Sequence, residues 1–131
     1  MRRISRTLVP LALVSVVLVG CGRDGSLSGG DLSGKKFENE RGKRSVTVEA
    51  VDNNFVPHYI TVSKGTTVTF INKGHNRHNV IWVGDTFKAS ALLDPDDSVK
   101  VTLEEAGDYA YYCSLHGTPT SRMTGGIRVV G

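Results

Sequence analysis

The chain has 131 residues, enough for one domain of ordinary size and not for two. Hydrophobic residues make up 39% and charged residues 22%, a globular composition that argues against global disorder. The formal charge of +3 resides in Arg2, Arg3 and Arg6; the rest of the chain is balanced, which leaves no electrostatic footprint for nucleic acid and too little chain for a two-domain enzyme.

The first element is a leader. Its arginines precede the run Leu8 to Val19, in which only Pro10 and Ser15 are not apolar. A bilayer core needs about 20 such residues, so this run suits the apolar region of a signal peptide instead. The run ends in Leu18-Val19-Gly20-Cys21, which resembles the lipobox of bacterial lipoprotein precursors. That resemblance implies cleavage before Cys21 and acylation of its thiol. Residues 1–20 therefore read as a lipoprotein signal peptide. The mature chain is expected on the extracytoplasmic face of a bacterial cell membrane, at the cell surface or in the periplasm, held by its lipid anchor. Gly22 to Arg44 follows, with six Gly and three Ser and only Leu27, Leu32 and Phe37 as larger apolar groups. Such a segment buries too little to offset its conformational entropy. Residues 21–44 are thus expected to be a flexible tether, and residues 45–131 the folded domain.

From Ser45 onward the dominant period is two. Val46, Val48 and Ala50 alternate with Thr47, Glu49 and Val51, and Thr66 to Ile71 is rich in branched and aromatic residues, as strands prefer. Further strands are expected at Asn79 to Val83, Ser98 to Leu103, Asp108 to Cys113 and Gly126 to Val130. Turn residues separate them, including Lys64-Gly65, Asn72-Lys73-Gly74 and Asp94-Pro95-Asp96-Asp97. Only Lys88 to Leu93 suits a short helical turn. Six or seven short strands read as an all-β fold, an antiparallel Greek-key sandwich.

Two cysteines narrow the chemistry. With Cys21 lipidated, Cys113 has no intrachain disulfide partner, and a free thiol in an exported protein is either deeply buried or bound to something. His116 lies three residues on and Met123 follows before the last strand; His78 opens an earlier strand. Two imidazoles, a thiolate and a thioether form the donor set of a blue-copper site. His75 competes with His78 but sits in a turn, where a ring is held less firmly. His58 is remote from these segments and reads as ordinary surface.

The segment Ser45 to Gly131 resembles a cupredoxin of the plastocyanin and azurin type. Phe55-Val56-Pro57 through Ile60-Thr61-Val62 and Gly65 to Phe70 resemble that family's early strands, and His78-Asn79-Val80 the segment bearing its first histidine ligand. Tyr111-Tyr112-Cys113-Ser114-Leu115-His116, with Met123 and Gly125 beyond, resembles its C-terminal ligand loop. The resemblance implies one copper ion held by His78, Cys113, His116 and Met123. It also implies a supporting pair, Asn79 with Ser114, and an electron exit at the outward-facing Tyr112. Six residues separate His116 from Met123, more than plastocyanin-like loops usually hold, and this slack bears on the axial position. The alternative for Met123 is an apolar plug beneath the loop.

The function expected is that of a monomeric, membrane-anchored, single-copper electron-transfer protein. It is no enzyme by itself and exchanges electrons with a redox protein donor and acceptor. The alternative is an extracytoplasmic copper chaperone or buffering lipoprotein, although such proteins often carry Met- and His-rich tracts. An immunoglobulin-like adhesion domain would need an upstream cysteine that Ser45 to Tyr112 does not contain. Lys73, Arg77 and Arg122 could form a positive rim for an acidic partner or simply be solvated loop charges.

Overall fold

A computed structural model describes residues 30–131, so the leader and Cys21 lie outside the described residues. Among the described residues nine strands follow one another without a helix: β1 (Glu38–Asn39), β2 (Ser45–Val51), β3 (Asn54–Val56), β4 (Tyr59–Ser63), β5 (Thr66–Asn72), β6 (Ile81–Trp82), β7 (Ser98–Leu103), β8 (Gly107–Thr118) and β9 (Ser121–Val130). They form a five-stranded sheet, β1-β4-β9-β8-β6, and a four-stranded sheet, β3-β2-β5-β7.

Alternation decides which side chains meet between the sheets. Val46, Val48 and Ala50 of β2 and Val68 and Phe70 of β5 point inward from one sheet. Ile60, Val62, Tyr109, Tyr111, Ile127 and Val129 point inward from the other. Tyr111 sits in an aromatic cluster, its ring centroid 5.0 Å from Phe55, 4.9 Å from Phe70 and 5.3 Å from Trp82. These near-perpendicular arrangements bring ring edges against ring faces, the favoured quadrupole geometry.

The two-layer β-sandwich matches the expected fold class, but its sheets are mixed rather than antiparallel. β1 with β4, β2 with β5, and β4 with β9 all pair in parallel. The chain passes repeatedly from one sheet to the other between β3 and β8, so strands adjacent in a sheet are joined by crossings as well as hairpins. Turn signals alone do not distinguish the two.

The strand expected at Asn79 to Val83 shrinks to Ile81–Trp82, and Lys88 to Leu93 is irregular rather than helical. Cross-links to the neighbouring segment explain both. The Val80 amide donates to Ser90 Oγ at 2.8 Å, and the Ser90 amide donates to Val80 O at 3.0 Å.

The folded body also begins earlier than Ser45. Residues 30–44, expected within the tether, lie as a strap along the five-stranded sheet, where β1 pairs with β4. Leu32 is buried, and Gly126 makes room for it: a Cβ on Gly126 would stand 2.6 Å from Leu32 Cδ1. Phe37 carries the Arg128 guanidinium over its ring at 4.3 Å, and Arg128 makes a bidentate pair with Asp108 at 2.8 and 2.7 Å. Composition judged this segment in isolation; the surface that receives it belongs to β9.

Candidate metal centre

The centre is built on an irregularity in the longest hairpin. β8 and β9 pair regularly up to Tyr112 opposite Thr124 and resume with Gly117 opposite Arg122. Between these two points Cys113, Ser114, Leu115 and His116 face the single residue Met123. Surplus backbone of this kind bends a strand and re-aims its side chains. Here it gathers Cys113, His116 and Met123 at one end of the sandwich.

The slack expected between His116 and Met123 is absent. Thr118 pairs with Ser121 across a tight turn at Pro119-Thr120, so the additional residues extend the hairpin beyond the site. Two local features permit this closure. Arg122 adopts a φ of 65°, and Gly117 lies where a Cβ would come within 2.8 Å of both Met123 N and Met123 O. Met123 is fully buried at the start of β9, not in a loop.

His78 comes from the opposite side. It does not open a strand, as expected, but forms an isolated bridge: its amide donates to Leu93 O at 3.2 Å, and the Leu93 amide donates to His78 O at 2.7 Å. Asn72 braces the approach. Its side-chain amide donates to Asn76 O at 2.7 Å and to Leu93 O at 3.0 Å, while its Oδ1 accepts from the Gly74 amide at 2.9 Å. The sequence marks Asn72 only as a turn residue; its place at the head of a Lys-Gly turn is the usual signal for such bonds.

Three donor atoms converge. Cys113 Sγ lies 3.8 Å from His78 Nδ1 and 3.7 Å from His116 Nδ1, and all three lie within 4.8 Å of one another. Burial and the neighbouring His116 hold the His78 imidazole below the ordinary histidine pKa, so its neutral form is favoured. His78 and Cys113 are fully enclosed, whereas His116 is partly open to solvent. His75 stands apart, 97% exposed and 3.7 Å from Asp52. His58 is exposed and stacked on Tyr59.

Asn79 and Ser114 meet as expected. The Asn79 side-chain amide donates to Ser114 Oγ at 2.8 Å, and its Oδ1 accepts the Ser114 amide at 2.9 Å. The expected positive rim is largely compensated: Lys73 pairs with Asp96 at 2.8 Å and Arg77 with Asp94 at 2.9 Å.

A buried soft thiolate between two imidazoles, with a thioether beside them, suits copper in both oxidation states and resembles no hydrolytic constellation. A cupredoxin-like domain model matches residues 28–124. The chain belongs to the cupredoxin-like family. Among curated cupredoxins, the plastocyanin of Mercurialis perennis is 34% identical over 74 residues, covering 47% of this chain and 75% of that protein. The chloroplastic plastocyanin of Chlamydomonas reinhardtii is 32% identical over 72 residues, and the chain spans only half of its length. Among solved structures, a purple cupredoxin from Nitrosopumilus maritimus superposes with a TM-score of 0.57 at 26% identity, covering 64% of this chain and 98% of that one. The donor set fits the family's metal, and copper is the cofactor of this cupredoxin.

Proposed function

We propose that the protein is a single-copper electron carrier, anchored through a lipid on Cys21 to the extracytoplasmic face of a bacterial membrane. One observation carries the electron-transfer reading: two Nδ1 atoms and one Sγ lie within 4.8 Å of one another, with the buried Met123 facing their segment across the β8–β9 bulge. His78, Cys113 and His116 would hold the metal, with Met123 as the weak fourth donor. When bound, copper supplies a one-electron couple that none of these side chains offers by itself.

The protein's part is to keep the donors still and dry. The bulge fixes Cys113 and His116 on one element, and the Leu93 bridge fixes His78 on another. Asn79 and Ser114 tie the two segments together. Side chains locked in this way change little between oxidation states, and a small rearrangement keeps transfer fast. The partly open His116 brings the site nearest to solvent and is the natural point of approach for a redox protein. As a carrier, the chain would catalyse no reaction of its own.

The test is spectroscopic. Cu(II) added to the purified full chain should give an intense blue thiolate-to-copper charge-transfer band, and reduction should bleach it reversibly. A pale solution with only weak bands would refute the reading. The anchor is tested separately: Cys21→Ser should leave the copper spectrum unchanged and either release the protein from membranes or stall its precursor. Membrane attachment that persists with no lipid on residue 21 would refute the anchor.

A further inference from the structure

The sandwich is not closed on the side where β6 and β7 form the free edges of their sheets. Alternation aims Val99 and Val101 of β7 at the core, yet both are only half-buried, as is Phe87 on the connection between these strands. With Phe70, Val80 and Trp82 they line a cavity of about 450 Å³. Small-molecule sites commonly span roughly 300–1,000 Å³. Segment 88–91 forms its outer lip. The paired bonds between Ser90 and Val80 fix the lip to the sandwich rather than leaving it loose.

Two features describe an occupant. The walls are aromatic, with Trp82 and Phe87 4.9 Å apart and Trp82 and Phe70 5.8 Å apart between centroids. The charge along the lining has one sign: Lys88 on the lip and Lys100 on β7, with no carboxylate among the lining residues. Neither lysine takes part in an ion pair among the described residues. A concave apolar slot with an exposed lysine, Lys88, on its lip favours a ligand with an apolar ring and an anionic head.

We propose that the cavity between β6 and β7 binds a small aromatic carboxylate or sulfonate, its ring body against Trp82 and Phe87 and its head at Lys88. Occupation does not require copper, so this inference stands apart from the electron-transfer reading. Trp82 is the only tryptophan of the chain and therefore reports directly on the cavity.

Anilinonaphthalene sulfonate is a suitable probe, with phenylnaphthylamine as its uncharged counterpart. Titrated into the full chain with copper withheld, the sulfonate should bind saturably at one site and quench Trp82 by energy transfer. The neutral probe should bind up to about fivefold more weakly, the effect of one unmatched charge contact at an exposed lysine. Lys88→Glu, on the exposed lip, should weaken sulfonate binding by about the same factor and leave the neutral probe unaffected. Val101→Phe, which fills the slot, should abolish binding of both while near-ultraviolet circular dichroism stays unchanged. If that signal changes, Val101→Ile replaces it and should weaken both probes. The proposal is overturned if the sulfonate fails to saturate, if both probes bind the wild type equally, or if binding survives in the folded position-101 variant and in Lys88→Glu alike.

Discussion

Asn79 and Ser114 hold each other twice, the asparagine amide donating to the serine hydroxyl and its carbonyl accepting the serine backbone amide. The pair joins the residue after His78 to the residue after Cys113, so it spans the two segments that deliver the donors. A net hydrogen bond is worth about 1 kcal/mol, and a buried group left unpaired costs somewhat more. Ser114→Ala removes one bond and should lower stability by about 1 kcal/mol in urea melts. Asn79→Ala removes both and orphans the Ser114 amide, so it should cost about 2–3 kcal/mol and speed copper loss to a chelator. The double variant should resemble Asn79→Ala. Additive effects would show that the two residues do not act as a unit.

Cys113→Ser should abolish the blue band while the sandwich remains folded, because the thiolate is the charge-transfer donor and serine nearly matches its volume. His75→Ala should leave the spectrum intact, since that ring is almost wholly exposed and turned toward Asp52. His78→Gly should lose the colour, and added imidazole should restore part of it by filling the vacated position. The visible spectra of the three variants check this. A bleached His75→Ala together with a blue His78→Gly would exchange the two assignments.

Tyr111 places a buried hydroxyl with no hydrogen-bond partner among the described residues, its ring pressed against the bare backbone of Gly125. Burial raises its pKa far above the ordinary tyrosine value. The folded state therefore retains a proton that the unfolded chain releases. Its contribution is fully present below about pH 10 and declines as pH rises above that value. Tyr111→Phe should flatten this alkaline loss. It also removes the orphaned hydroxyl, so at neutral pH the variant should gain roughly 1 kcal/mol in denaturant melts. Unchanged alkaline behaviour would locate the sensitivity elsewhere.

Leu32 and Gly126 provide a test of the strap. Leu32→Ala should cost about 2–3 kcal/mol, as expected for a buried leucine. Gly126→Ala should also destabilise, because its Cβ would stand 2.6 and 2.8 Å from the two Leu32 methyl carbons. In the Leu32→Ala background that cost should largely disappear. The coupling is read from a double-mutant cycle of urea midpoints. Independent effects would show that the strap does not pack there.

The chemistry of the centre was legible in the sequence because it is local. Cys113 and His116 are three residues apart, Met123 follows seven residues after His116, and a soft donor set of that composition limits the metal. The alternation of Val46, Val48 and Ala50 was likewise legible, and all three are buried. Relationships between distant segments were decided only by the tertiary structure. Parallel pairing of β2 with β5 and of β4 with β9 depends on how the chain crosses between sheets, which no turn residue encodes. The four-against-one bulge that aims Cys113 and His116 at Met123 depends on the register of two strands, and alternation within either strand is silent about it. Lys73 and Arg77 looked like free cations until Asp96 and Asp94 were folded beside them. Residues 30–44 looked too polar and glycine-rich to order themselves. Leu32 and Phe37 nevertheless suffice, because side-chain-free Gly126 and the Arg128 guanidinium receive them from the far end of the chain. Composition measures what a segment can bury by itself, whereas folding depends on what another segment offers it.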